Sequence, residues 1–384
     1  MSDLTGRELL LRTLSRQPVD CIPVSPFIHV NYVKEFFGSN DVDWVARTPE
    51  VYRHFGFHVM HRNCTPVYEA YGPPGPDWQV EVAVEPDGRD ETKTTVIRTP
   101  RGDLRCVEAL RWTYEYDAEA SAVEYMIKSE ADLDLMMAYQ PAHGPADTND
   151  IGRAREAAGE DGITAPWIQG AFNLVAYYYR KVDDLLADAL LNPAFYDRLM
   201  TWALERYMGF LGQVIAAGPD VLSMGGNIAN GKMVGSGFFR EHIWPYERRL
   251  IEFIQGRGVA VLYHNCGYAR RLLPLYPSLG MRAYESLTPP PYGDTILAEA
   301  VETFGQGTAL LGNMDQLDLL RKGTAEEITA QVKQVLDTVR GRSHFILATT
   351  DYFNENTPHE NIHALADAGR RFGGSRLRPS SKSD

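Results

Sequence analysis

Gly258-Val-Ala-Val-Leu-Tyr-His-Asn-Cys-Gly267 decides how this chain is read. An unbroken apolar run of small and β-branched residues marks a buried strand. Its end carries an imidazole, His264, and a thiol, Cys266, two residues apart and so on the same side of an extended backbone. Barrels keep their chemistry at such strand ends, and a metal is a candidate occupant for the pair.

Outward from that stretch, short apolar runs recur at Cys21 to Phe27, Phe55 to His61, Ile163 to Gln169, Asp220 to Met224, Met281 to Ser286, Thr308 to Asn313 and His344 to Thr350. With Val259 to His264 they make eight. Helical periodicity separates most of them, at Asp183 to Leu191, Pro193 to Ala217, Ser236 to Arg257, Ala269 to Tyr276, Ile296 to Thr303, Ala325 to Arg340 and Glu360 to Phe372, after a first helix at Thr5 to Ser15. Strands alternating with helices predict a parallel sheet with right-handed crossovers, and eight such units predict a closed (β/α)₈ TIM barrel, class α/β. Residues 65–135 break the rhythm: Trp78 to Val84, Lys93 to Thr99 and Asp103 to Trp112 alternate like strands around Pro86-Asp87-Gly88 and Pro100-Arg101-Gly102 turns. They read as a β-rich insertion over one barrel end. A single domain over 1–372 with a disordered tail over 373–384 is the expected organisation.

Composition narrows the function. Of the 384 residues, 44% are hydrophobic and 23% charged, close to the globular averages of about 45–50% and about 25%, which excludes a disordered or fibrous chain. A formal charge of −13 without a basic stripe argues against nucleic acid. Met1-Ser-Asp-Leu-Thr-Gly-Arg-Glu8 lacks a secretory pattern, and no segment approaches the roughly 20 apolar residues of a membrane span, so a cytoplasmic protein is expected. Cys21, Cys64, Cys106 and Cys266 form no CxxC and read as thiols.

In a barrel the predicted strand ends supply the site. They deliver His29, then His61 and Cys64, then Gln169 and Asn173, then Asn227 and Asn230, then His264 and Cys266, then Glu285, then Asn313 and Asp315, and last Asp351 and Tyr352. A catalytic zinc needs three protein ligands and one open position, so His264 and Cys266 want a carboxylate, either Glu285 or Asp351. A buried cysteine beside a hydrogen-bonded histidine is the structural alternative. His29, Gln169, Asn173, Asn313 and Tyr352 are candidate substrate contacts, and Tyr177, Asn227 and Glu285 candidate catalytic groups. Three consecutive tyrosines, Tyr177 to Tyr179, cannot share one helix face. His54, His58 and His61 fall in or beside a strand and read as core or solvated histidines. No phosphate loop, dinucleotide fingerprint or G-x-S-x-G elbow is present.

Taken in order, Arg12-Thr-Leu-Ser-Arg-Gln-Pro-Val-Asp-Cys-Ile-Pro-Val24, Arg98-Thr-Pro-Arg-Gly-Asp103, Gly170-Ala-Phe-Asn-Leu-Val-Ala-Tyr177, Phe239-Arg-Glu-His-Ile-Trp-Pro-Tyr246, His264-Asn-Cys-Gly267, Leu311-Gly-Asn-Met-Asp315 and Phe345-Ile-Leu-Ala-Thr-Thr-Asp351 resemble the uroporphyrinogen decarboxylase superfamily over residues 5–372. The resemblance implies a (β/α)₈ barrel. The chain is unlike the decarboxylase branch, lacking its arginine motif after the first strand, where Pro23-Val-Ser-Pro-Phe-Ile-His-Val-Asn-Tyr32 stands. It also has Gly225-Gly-Asn227 where that branch places an acidic residue. It is similar to the methylcobamide:thiol methyltransferase branch, whose His-x-Cys-Gly motif binds zinc and activates a thiol toward a corrinoid methyl group. That branch implies zinc, a methylcobamide on a partner corrinoid protein and a small acceptor. Its third ligand, a cysteine after the eighth strand, falls on Asp351 here. A zinc-dependent methyltransferase is the leading expectation. A metal-free decarboxylase or lyase and a non-catalytic corrinoid- or small-molecule-binding homologue are the alternatives.

Overall fold

Side chains along a strand alternate between two faces, and in this chain that alternation sorts residues into the inside and outside of a barrel. A computed structural model describes residues 4–342 and 344–374. Trp167–Gln169, Val221–Gly225, Ala260–His264, Ala283–Ser286, Ala309–Met314 and Phe345–Thr349 lie side by side in chain order, every pair parallel. Val59–His61 pairs in parallel with Gly162–Thr164. That strand runs on into Trp167–Gln169 past Pro166, whose missing N–H interrupts the ladder. Ala165 N donates to His61 O at 2.9 Å and Ser223 N to Pro166 O at 3.0 Å across the interruption.

The first barrel position departs from its expected strand, because Pro23 and Pro26 have no donors to give a ladder. It survives as two parallel bridges, Val24 to Leu347 and Phe27 to Tyr352. Ser25 N donates to Leu347 O and Leu347 N to Pro23 O, while His58 N donates to Val24 O, each at 2.9 Å. The first position thereby joins the eighth to the second and closes the barrel.

The inner set, including Met60, Ile163, Leu262, Ala283, Leu311 and Ile346, packs as its own cluster. Leu10 and Leu14 join it from the helix Gly6–Leu14 and plug the N-terminal end, each such burial contributing about 1.5–3 kcal/mol. A Thr5/Glu8 capping box starts that helix. Arg7 ties it to the barrel by donating to Asp220 Oδ2 at 2.9 Å. The outer set, such as Val261, Tyr263, Tyr284 and Leu347, packs with Leu204 and Leu211 of the helix Pro193–Ala216 and Leu365 of His359–Gly373 in a second core.

Among the described residues, five α-helices absent from the sequence reading are present: Val30–Phe37, Trp44–Phe55, Glu130–Tyr139, Asn149–Ala158 and the short Leu319–Lys322. Pro49 hides the second, and Leu133, Leu135, Met136 and Met137 run around the third without forming one stripe. The helix expected at Ala269 to Tyr276 is instead a 3₁₀ stretch, Leu273–Leu279, because Pro274 and Pro277 remove donors. The run from Ser236 to Gln255 is helical with a π turn at Phe239–Ile243, just before Pro245. The insertion is a four-stranded antiparallel sheet, Gln79–Asp87, Asp90–Thr99, Gly102–Trp112 and Ala118–Glu124, with turns where the prolines and glycines placed them. Its loop after Trp112 reaches the helix behind the mouth, where Asn40 donates to Glu115 O at 3.1 Å and Tyr114 to Glu35 Oε2 at 3.2 Å. The tail beyond residue 374 lies outside the described residues; Gly373 closes the last helix.

Candidate active site

Counting by two from the inner set gives the residues that face inward at the C-terminal end: Met60 leads to Arg62, Leu262 to His264 and Ala283 to Glu285. These three are linked. Glu285 and His264 are register partners on adjacent strands. His264 Nδ1 lies 3.0 Å from Glu285 Oε1 and 3.2 Å from Ser286 Oγ. Arg62 grips Glu285 with both Nη atoms, each 2.6 Å from a carboxylate oxygen. All three side chains are 3–6% exposed.

Burial would raise the Glu285 carboxyl, but the Arg62 guanidinium and His264 hold it down at about 2. Burial likewise works to lower the His264 imidazole and is outweighed by Cys266 and Glu285, which leave it well above its ordinary value. Glu285 is therefore a fixed anion that accepts the Nδ1 proton.

The other ring nitrogen faces a different carboxylate, with Nε2 4.0 Å from Asp351 Oδ2. Ligand atoms of His264, Cys266 and Asp351 all lie within 4.8 Å of one another. Between the two carboxylates considered for the third position, Asp351 belongs to this cluster, and Glu285, occupied by Arg62, backs the histidine. Asn265 points away from the cluster, donating to Tyr276 Oη at 2.6 Å and Gly226 O at 3.2 Å, which anchors the loop from behind. Gly267, at φ +83°, then turns the chain in a conformation that favours glycine.

A cavity of about 520 Å³ opens onto the cluster. Arg62, His264 and Asp351 lie at its polar end, Phe27, Trp167 and Tyr352 form aromatic walls, and Trp44 and Val67 stand at an exposed rim. The Trp167 ring meets His264 edge-on at 5.1 Å and stacks on Phe27 at 6.0 Å. The Arg62 guanidinium covers Phe27 at 4.3 Å.

His29 also lines the cavity, its ring 5.0 Å from Tyr352. Asn31 Oδ1 already accepts from Tyr32 N, so it also accepts from His29 Nδ1, at 3.1 Å. That fixes the proton on Nδ1 and leaves Nε2 basic. Burial lowers the His29 pKa. Asn227 lines the cavity too, its Oδ1 accepting from Asn173 Nδ2 at 2.9 Å, while Asn173 Oδ1 accepts from Ile228 N at 3.1 Å. Asn173 thus positions Asn227 from behind.

The remaining expected site residues fall elsewhere. Tyr177 is 44% exposed and packs on Tyr178 outside the cavity lining, because successive residues diverge around a helix. Gln169 lies outside the lining, its backbone N–H donating to Tyr207 Oη at 2.9 Å. Asn313 is buried and donates to Leu287 O at 3.2 Å, again outside the lining. Asn230 and Asp315 cap local turns. His58 and His61 are core residues bonded to backbone at Val24 and Val45, and Cys64 is buried against His61 O. Arg62, Phe27 and Trp167 were missed. Their signal was positional: Arg62 stands two after Met60, and Trp167 two and four after Ala165 and Ile163, in the inward register.

The family model of uroporphyrinogen decarboxylase (URO-D) matches residues 107–372, more than half of the chain. Methylcobamide:CoM methyltransferase MtbA of Methanosarcina mazei is 20% identical over 379 residues, spanning 97% of this chain and 99% of that protein. The protein of the same name from Methanosarcina acetivorans is 19% identical over 374 residues, with 97% and 99% covered. The solved structure of a methyltransferase from Methanosarcina mazei superposes with a TM-score of 0.69 at 18% identity, covering 96% of this chain and 99% of that one. That likeness is one of fold, and it agrees with the barrel.

Proposed function

This chain belongs to the uroporphyrinogen decarboxylase family, and we propose that it is a zinc-dependent methyltransferase, moving a methyl group between a corrinoid carried by a partner protein and a small molecule. The observation that carries the reading is the convergence of His264, Cys266 and Asp351 within 4.8 Å at the mouth of a closed barrel. An imidazole, a thiolate and a carboxylate form a donor set that zinc accepts, with a fourth position left for a substrate. The near-full-length relatives named for methylcobamide:CoM methyl transfer support the corrinoid partner and the reaction class.

Zinc at those three residues would supply Lewis acidity to an oxygen or sulfur atom of the small molecule. The chain's own groups prepare for this. Glu285, neutralised by Arg62, accepts the His264 Nδ1 proton and so presents Nε2 toward Asp351, an arrangement that fixes the ring's tautomer and direction. Phe27 and Trp167 wall off water beside the imidazole. His29, with Nε2 bare, takes the proton that an acceptor releases, or returns it to a demethylated product. Asn227, clamped by Asn173, offers its amide N–H to the substrate.

The test is zinc content and methyl exchange with methylcobalamin, read together on the purified protein and on His264→Ala. Stoichiometric zinc and methyl exchange in the parent, both lost in the variant, is the expected result. A variant that loses zinc and still transfers methyl sinks the reading.

A further inference from the structure

Resting on that methyltransferase reading, we propose that the small molecule handled here is an uncharged, flat, aromatic-sized compound that would bring one oxygen or sulfur lone pair to a zinc held by His264, Cys266 and Asp351. An anionic thiol does not suit this cavity. Among the described residues lining the cavity, the positive charge is already committed. Arg62 is 3% exposed, spends both Nη atoms on Glu285 at 2.6 Å and lays its face on Phe27 at 4.3 Å. His264 is tied to Glu285, and His29 donates its one Nδ1 proton to Asn31.

A sulfonate or carboxylate entering beside them would leave water without a free cation to meet it, and an unpaired buried ion is strongly disfavoured. Asp150, on the same lining, already holds Arg153 at 2.7 Å, so that cation is committed as well.

The walls favour the opposite kind of guest. Phe27 and Trp167 are nearly parallel, 18° apart, and Tyr352 meets Phe27 edge-on at 5.9 Å. Flat rings pack against such surfaces in stacked or edge-on contacts. Trp44 and Val67 extend the apolar surface to the rim, where Val67 is 79% exposed. An apolar patch at a cavity mouth marks a binding surface more often than an isolated exposed residue does. The volume, about 520 Å³, lies within the roughly 300–1,000 Å³ of small-molecule sites.

A quaternary ammonium would suit aromatic rings and carboxylates, yet it has no lone pair to bring to the cluster. The carboxylate of Asp351, a harder donor than thiolate, also widens tolerance toward oxygen.

Zinc-loaded full-length protein titrated with 2-methoxyphenol, 2-mercaptoethanesulfonate and tetramethylammonium, by calorimetry and tryptophan fluorescence, tests this without requiring turnover. The aromatic should bind at least tenfold more tightly than either competitor, and Tyr352→Ala and Trp167→Ala should each weaken it at least fivefold. Val67→Lys, a change at the exposed rim, should narrow the aromatic-to-sulfonate ratio at least threefold. Equal or tighter sulfonate binding, tetramethylammonium as the preferred ligand, aromatic binding that survives both ring deletions, or a ratio unmoved by Val67→Lys would each overturn the proposal. Methylcobalamin exchange is scored separately. Aromatic binding with no methyl exchange counts against the methyltransferase reading alone, whereas sulfonate preference with exchange intact counts against this proposal alone.

Discussion

Glu285 stands opposite His264 in the register of two adjacent parallel strands, with its Oε1 3.0 Å from the imidazole Nδ1. A carboxylate in that position steers the ring and leaves the far nitrogen to the Cys266 and Asp351 side. Replacing Glu285 by Gln keeps the shape but weakens the acceptor, so zinc affinity should fall about 10- to 100-fold. Glu285→Ala should be worse in a different way, because the buried Arg62 loses its partner at a cost of about 3–5 kcal/mol. Chelator competition and urea unfolding separate the two effects. Undiminished zinc affinity in Glu285→Gln would remove the steering role.

Asp351 lies on the Nε2 side of the same ring. Asp351→Ala should leave two ligands and reduce zinc below one equivalent after dialysis. Asp351→Cys should retain the metal, and its cobalt-substituted form should show stronger thiolate-to-cobalt absorption than the parent, as a second sulfur joins Cys266. A parent-like cobalt spectrum in Asp351→Cys would place residue 351 outside the ligand set.

His29 should act through its bare Nε2. His29→Phe keeps a ring against Tyr352 and removes the proton acceptor, so kcat/KM should fall about 10²- to 10⁴-fold with little change in zinc content. Since burial lowers the His29 pKa, the parent should stay active down through the ordinary imidazole value of about 6.5 and lose rate only in more acid solution. A His29→Phe enzyme with the parent's rate and pH profile would assign the proton elsewhere.

His61 makes the stability of the fold depend on pH. Burial lowers its pKa to about 4, against an ordinary value of 6.5. Between those values the unfolded chain binds a proton that the folded one refuses, so stability falls as pH falls from 6.5 to 4, by roughly 3 kcal/mol at full extent. Glu247 pulls the other way, its buried carboxyl raised to about 7 so that the folded state gains a proton across much of the same range. The clean readout is therefore a difference: the stability gap between the parent and His61→Gln should shrink as pH drops from 6.5 to 4. A gap independent of pH would show that His61 is protonated equally in both states.

Local pattern carried the fold a long way. Apolar runs bounded by glycine and proline placed the barrel strands, since a strand buried on both faces writes its burial into a few consecutive residues. The helix Glu130–Tyr139 escaped because its apolar side chains do not fall on one stripe. The metal-ligand candidates were also legible, because His264 ends one strand, Cys266 stands two residues on, and Asp351 follows two residues after another strand.

The neighbouring assignments turned on a spacing of one residue. His61 read as a core or solvated histidine and is a core one, turning outward to Val45 O, while Arg62, which was passed over, turns inward to Glu285. A slip of one along a strand exchanges its faces, and the chain alone does not mark which face is inner.

The nearness of His264 and Cys266 was determined by the sequence, because a single residue separates them at the end of a strand. Which carboxylate completes the cluster and which one holds the histidine was decided only in three dimensions. Strand register set Glu285 beside Nδ1, barrel closure brought Asp351 from the eighth strand to Nε2, and Arg62 from the second strand fixed the charge between them. Each of those contacts joins residues distant in the chain, and their alignment depends on how the strands pair around the ring.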